Sequence, residues 1–135
     1  MTPLVFEVPL PPRALSSNGQ HGHWRKSATA RRDYRRDVGL VAASAARSAE
    51  WPVVSGTVCV SLVFGTKGRG TRDGGYRPVD IPNAIAAFKP GFDALVDAGI
   101  LVDDDARHMT LGTVRIDPRE GPAVRVTVAL AAGKE

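Results

Sequence analysis

The chain has very little sulfur and few imidazoles: one cysteine, Cys59, and three histidines in 135 residues. A single thiol excludes an internal disulfide and any multi-cysteine metal site, and a reducing cytoplasm is its simplest setting. The HGH triplet at 21–23 has no cysteine or third ligand near it and reads as loop; His108 reads as a surface histidine, and Cys59 as a small core residue in a strand. No apolar run approaches the ~20 residues that span a bilayer. The opening MTPLVFEVPLPP lacks the basic and long apolar regions of a secretory signal. These absences point away from disulfide scaffolds, thiolate metal centres and membrane proteins.

What is present suits one soluble domain, residues 1–135, with 43% hydrophobic and 24% charged residues. A chain of this length buries roughly two-thirds of its unfolded surface. The net charge is +4 and the sequence pI about 9.7, a weak hint of an anionic partner. The distribution says more. Residues 1–79 hold 12 Lys/Arg against 5 Asp/Glu, whereas residues 80–135 hold 6 against 9. A basic first part and an acidic second part suit a protein that grips a polyanion and presents carboxylates to it.

LVFEVPL (4–10) alternates and meets Pro11–Pro12, the pattern of a strand ended by prolines. SSNGQHGHW (16–24) is a polar loop. A helix follows over about 26–48, with Tyr34, Val38, Val41 and Ala45 on its apolar face and Arg31, Arg32, Arg35 and Arg36 on its flank and back. TVCVSLVFG (57–65) is a β-branched strand, and TKGRGTRDGGYRP (66–78) a glycine-rich basic loop. DIPNAIAAFKPGFDALVDAG reads as helix, with Ile85, Phe88, Phe92, Leu95 and Val96 on one stripe. Pro90 should kink or divide it, and Gly99 stop it. TLGTVRID (110–117) and AVRVTVAL (123–130) alternate and read as an antiparallel hairpin. The order β-α-β-α-β-β predicts a mixed α/β (α+β) domain: one sheet of about four strands with two helices on one face.

The chemistry concentrates in GILVDDDARH (99–108). Three consecutive carboxylates, Asp103, Asp104 and Asp105, repel one another unless water or a cation offsets them. Asp80 precedes the second helix, where it can serve as an N-cap or join the acidic cluster if the chain brings the two ends of that helix region together. Hard divalent cations take such oxygen ligands. Lys89 is the candidate for stabilising developing negative charge, though its spacing from Asp93 is also that of an ordinary helical ion pair. Arg31, Arg32, Arg35, Arg36 and the loop residues Lys67, Arg69, Arg72 and Arg77 are the candidate phosphate contacts.

VDIPNAIAAFKPGFDALVDAGILVDDDARH resembles the signature region of the RusA-like Holliday-junction resolvases, in the form common in phages and prophages of actinobacteria. VPLPPRALSSNGQHGHWRKSATARRDYRRDV resembles that family's start. The resemblance implies a small mixed α/β homodimer with Mg²⁺-dependent nicking of four-way DNA junctions, Mn²⁺ being a substitute. It implies metal ligands at Asp80, Asp103 and Asp104, with Asp105 able to substitute, and a catalytic lysine at Lys89. One position departs. The family's best-known members carry a second aspartate where this chain has Pro82, with Asn83 retained, and three extra residues separate Asn83 from FDAL. An alternative expectation follows from that departure, a branched-DNA-binding protein with a weakened site; a nuclease for flaps or forks is a third.

Overall fold

The computed structural model describes residues 2–15, 24–68, 78 and 80–131. Its elements are β1 (Leu4–Val8), a 3₁₀ turn at Arg13–Leu15, α1 (Trp24–Ser48), β2 (Val58–Gly65), α2 (Ile81–Ala87), α3 (Lys89–Asp97), β3 (Met109–Asp117) and β4 (Ala123–Leu130). The expected α+β class is found: a single four-stranded sheet with three helices. None of the helices described is long and apolar enough to cross a membrane.

The strand order is β1-β4-β2-β3, which corrects the expected hairpin. β3 and β4 are not neighbours. β3 runs parallel to β2 on one side, and β4 runs antiparallel to both β2 and β1. The α2–α3 crossover returns the chain parallel to β2, as βαβ connections do. The link after Asp117 then passes across the end of β2 and inserts β4 on its far side. That passage is tight: Lys67 N–H donates to the Glu120 carbonyl at 2.7 Å and Thr66 N–H to the Asp117 carbonyl at 3.1 Å. At Gly65 a Cβ would lie 2.2 Å from the Gly121 carbonyl oxygen, so only glycine fits.

Burial follows the topology. Val58, Val60, Leu62 and Phe64 of β2 and Val124, Val126 and Val128 of β4 are fully buried on the helix-covered face. Cys59 points the other way and is only partly buried, which corrects its assignment to the core. β3, at the sheet edge, is mostly exposed. On α1 the buried residues are Tyr34, Val38 and Ala42, while Val41 is exposed, so the core stripe continues at i+4 from Val38 and not at i+3. Tyr34 donates its hydroxyl to the Pro9 carbonyl at 2.6 Å, tying α1 to the end of β1, and burial raises its pKa.

The second helical region divides at Phe88, two residues before Pro90. Pro90 then occupies the first turn of α3, where no amide donor is required. Phe88 is the aromatic hub of the core, edge-on to Tyr34 and Phe64 at 6.1 Å each and to Phe92 at 5.1 Å. α3 ends as expected at Gly99, in the left-handed region at φ 77°.

Candidate functional site

Lys89 begins α3 at the division point, and its position is set from below. The Phe88 ring lies under the first turn, where a Cβ at Gly91 would come within 2.5 Å of it. Glycine is therefore what lets the turn close over that ring. From this fixed start the Lys89 ammonium donates to Asp93 Oδ1 at 2.9 Å and to Asp104 Oδ2 at 2.5 Å. Asp93 lies one turn along α3; Asp104 arrives from the loop before β3. Two carboxylates thus face each other across one nitrogen. The Lys89 side chain is 57% exposed, and those of Asp93 and Asp104 are 32% and 23% exposed. The pKa of Lys89 is raised, first by the hydrogen bond to Asp104 and then by that to Asp93. The carboxyl of Asp104 is held below the usual range, chiefly by Lys89.

The other aspartates bond within their own turns. Asp80 is the N-cap of α2, its two carboxylate oxygens accepting from the Asn83 backbone N–H at 2.9 Å and side-chain amide at 2.8 Å. The extended backbone at Asp80 and Pro82 in the first turn complete a regular helix start. Asp103 accepts from the Asp104 N–H at 2.8 Å. Asp105 closes the turn into β3: its Oδ1 accepts from the backbone of Arg107 and His108 at 3.0 and 3.1 Å and lies 2.7 Å from His108 Nδ1. The His108 contact leads the causes that depress the Asp105 pKa. The structure therefore brings Lys89, Asp93 and Asp104 together, sets Asp103 against the Asp104 amide, and gives Asp80 and Asp105 roles within their own turns.

Whether these residues suit a divalent ion depends on donor chemistry and number. The donor type fits at Asp104, a partly exposed carboxylate with one oxygen on Lys89, while the space between Asp93 and Asp104 is taken by the Lys89 ammonium. Mg²⁺ characteristically takes one or two carboxylates and keeps several waters. No group of three or more His, Cys, Asp or Glu side chains placed to hold a metal occurs among the described residues, so a larger all-protein cage is not assembled. The arrangement fits a water-rich ion anchored at Asp104. Asp93, read from sequence only as an ion-pair partner of Lys89, is the residue that sequence reasoning underused. Helical spacing joins Lys89 to Asp93 but does not reveal that a distant loop delivers Asp104 to the same ammonium.

The basic face of α1 divides into two kinds of arginine. Arg35 is committed: it donates through Nε and Nη2 to both oxygens of Asp97 on α3 at 2.6 and 2.8 Å. Arg31 donates to Ser27 Oγ at 3.1 Å, Arg32 lies 3.3 Å from Asp33, and Arg36 lies 3.2 Å from Asp37 and 3.5 Å from Asp33. These three side chains are solvent-exposed, and such short-range surface pairs are weak. Arg31, Arg32 and Arg36 are thus presented to solvent, together with the exposed Lys67. Arg69, Arg72 and Arg77 lie outside the described residues, as does the loop at 16–23. The chain matches no protein-family model and no curated protein sequence.

Proposed function

We propose that the protein is a divalent-metal-dependent endonuclease for branched DNA, acting as a homodimer on four-way junctions in the cytoplasm of a bacterial or phage-infected cell. The observation that carries this reading is the meeting of Lys89 and Asp104, fifteen residues apart in sequence, at one partly exposed point. A bound Mg²⁺ supplies Lewis-acid charge and an activated water for phosphodiester hydrolysis. Asp104 would anchor the ion, with Asp80, Asp103 and Asp105 as the further carboxylates the family resemblance implies. Lys89 stabilises negative charge developing on the phosphate. Arg31, Arg32, Arg36 and Lys67 hold the DNA backbone, giving salt-sensitive affinity with little base reading. Two-fold symmetry in a dimer would match two-fold symmetry in a junction and set one site beside each strand to be nicked.

The test is a synthetic four-way junction incubated with Mg²⁺ or Mn²⁺ and the wild type or Asp104→Asn. The wild type should nick, and the variant should be slower by roughly 100-fold or more. No cleavage by the wild type, or equal cleavage by both, defeats the catalytic reading. A specific observation supports a second reading: Pro82 occupies the place of a family carboxylate, and no three-carboxylate group is assembled among the described residues. Junction binding without nicking at any metal concentration would establish that binding role.

A further inference from the structure

We infer that Asp93 is a positioning residue, holding the Lys89 ammonium where Asp104 meets it so that the charge is presented to a phosphate from a fixed place. This rests on the nuclease reading above. Three observations support it. Lys89 stands in the first turn of α3, where a cation opposes the helix dipole. The pair runs Lys89 then Asp93, and acid-first is the more stabilising order at this spacing. Within α3 both features are the less favourable arrangement, so helix stabilisation accounts for little of the pair. The third observation is the anchoring of Asp93. Its neighbours Phe92 and Ala94 are buried at 4% and 0% exposure, so the carboxylate hangs from a rigid part of the helix. A lysine has a flexible four-carbon stem and spreads its charge unless held. Asp93 roots it from one side while the loop residue Asp104 meets it from the other.

The experiment uses the full-length protein with Asp93→Asn, which preserves shape and removes charge, and Asp93→Glu, which restores the charge. Asp93→Ser serves as a second neutral replacement should Asp93→Asn fail to fold, as judged by circular dichroism. Junction affinity is measured in EDTA, and single-turnover nicking at saturating protein with Mg²⁺. Asp93→Asn should lower the nicking rate constant by roughly 10- to 100-fold while junction affinity stays within about twofold; Asp93→Glu should recover most of the loss. A readout independent of activity is the Lys89 ammonium resonance in ¹⁵N-edited spectra, assigned with Lys89→Arg. It should move and broaden in Asp93→Asn and return in Asp93→Glu. A normal nicking rate in the folded neutral variant, an unmoved Lys89 resonance, or a loss confined to junction affinity overturns the inference and leaves the nuclease reading standing. Absence of nicking by the wild type overturns both.

Discussion

At its N-terminal end α3 carries Lys89 and at its C-terminal end Asp97, each opposite in sign to what the helix dipole favours. The two ends resolve this differently. Asp97 is closed off, both oxygens taken by the planar fork of Arg35 at 2.6 and 2.8 Å. That geometry is specific and fastens α3 to α1. Lys89 is a point charge shared between carboxylates from two chain segments, on the more exposed side chain of the three. One end has the character of a strap, the other that of a site. The contrast argues that a charge against the dipole is not by itself a functional mark; how its partners are arranged, and what they connect, decides.

The largest expected effect comes from removing what both ends share. Phe88 lies under the start of α3 and touches Tyr34 of α1 as well as Phe64 and Phe92. Phe88→Ala should cost about 3–5 kcal/mol through lost burial and the cavity left behind. Urea denaturation would show this as a lower midpoint with an unchanged slope. A cost below about 1 kcal/mol would mean that the two ends are held independently of the core beneath them.

Cutting one end sharpens the contrast. Asp97→Asn should cost about 0.5–1 kcal/mol, because the pair is well aligned but substantially exposed, and should leave nicking untouched. The sign with pH follows from Arg35, which holds the Asp97 carboxyl below its usual range. A depressed carboxylate contributes stability above its unfolded pKa of about 3.9, and that contribution is lost as pH falls through the folded value. The stability difference between wild type and variant should therefore be constant from neutral pH to about pH 5 and shrink below about pH 4. A difference that grows on acidification would contradict the strap.

The same asymmetry separates what the sequence disclosed from what it concealed. Element types were legible because periodicity and punctuation are local: Pro11–Pro12 after β1, the β-branched run of β2, Gly99 after α3. Pairing was not. TLGTVRID and AVRVTVAL alternate alike and lie close in sequence, and alternation does not record which neighbour a strand takes. The distinguishing signal was intensity. AVRVTVAL places three valines on one face, as a central strand needs, whereas TLGTVRID breaks its apolar alternation with a glycine and suits an edge. At the candidate site, Lys89 and Asp104 could be named from the chain, and the Asp80 cap was legible from its place before the helix and from Pro82 in the first turn. The joint hold of Asp93 and Asp104 on Lys89 was not, because it depends on where the loop after Leu101 returns.

The C-terminal ends of α1 and α3 close by one motif, and the smallest expected effect, at Glu50, comes from comparing them. At α3, Gly99 N–H donates to the Val96 carbonyl and Ile100 N–H to that of Leu95; at α1, Glu50 N–H donates to Arg47 and Trp51 N–H to Ala46. Both are Schellman closures, and both need a left-handed residue. α3 uses Gly99 at φ 77°, whereas α1 uses Glu50 at φ 53°. A side chain in that conformation costs roughly 1–2 kcal/mol, and glycine returns part of the gain through its freer unfolded state. Glu50→Gly should therefore stabilise the fold by about 0.5 kcal/mol, and Gly99→Ala should destabilise it by about 1 kcal/mol. A Cβ at Gly99 would meet nothing within 4 Å, so the second cost is purely backbone. Opposite signs in chemical denaturation would show that the two ends share one backbone requirement; equal signs would mean that the Glu50 side chain contributes something the closure alone does not explain.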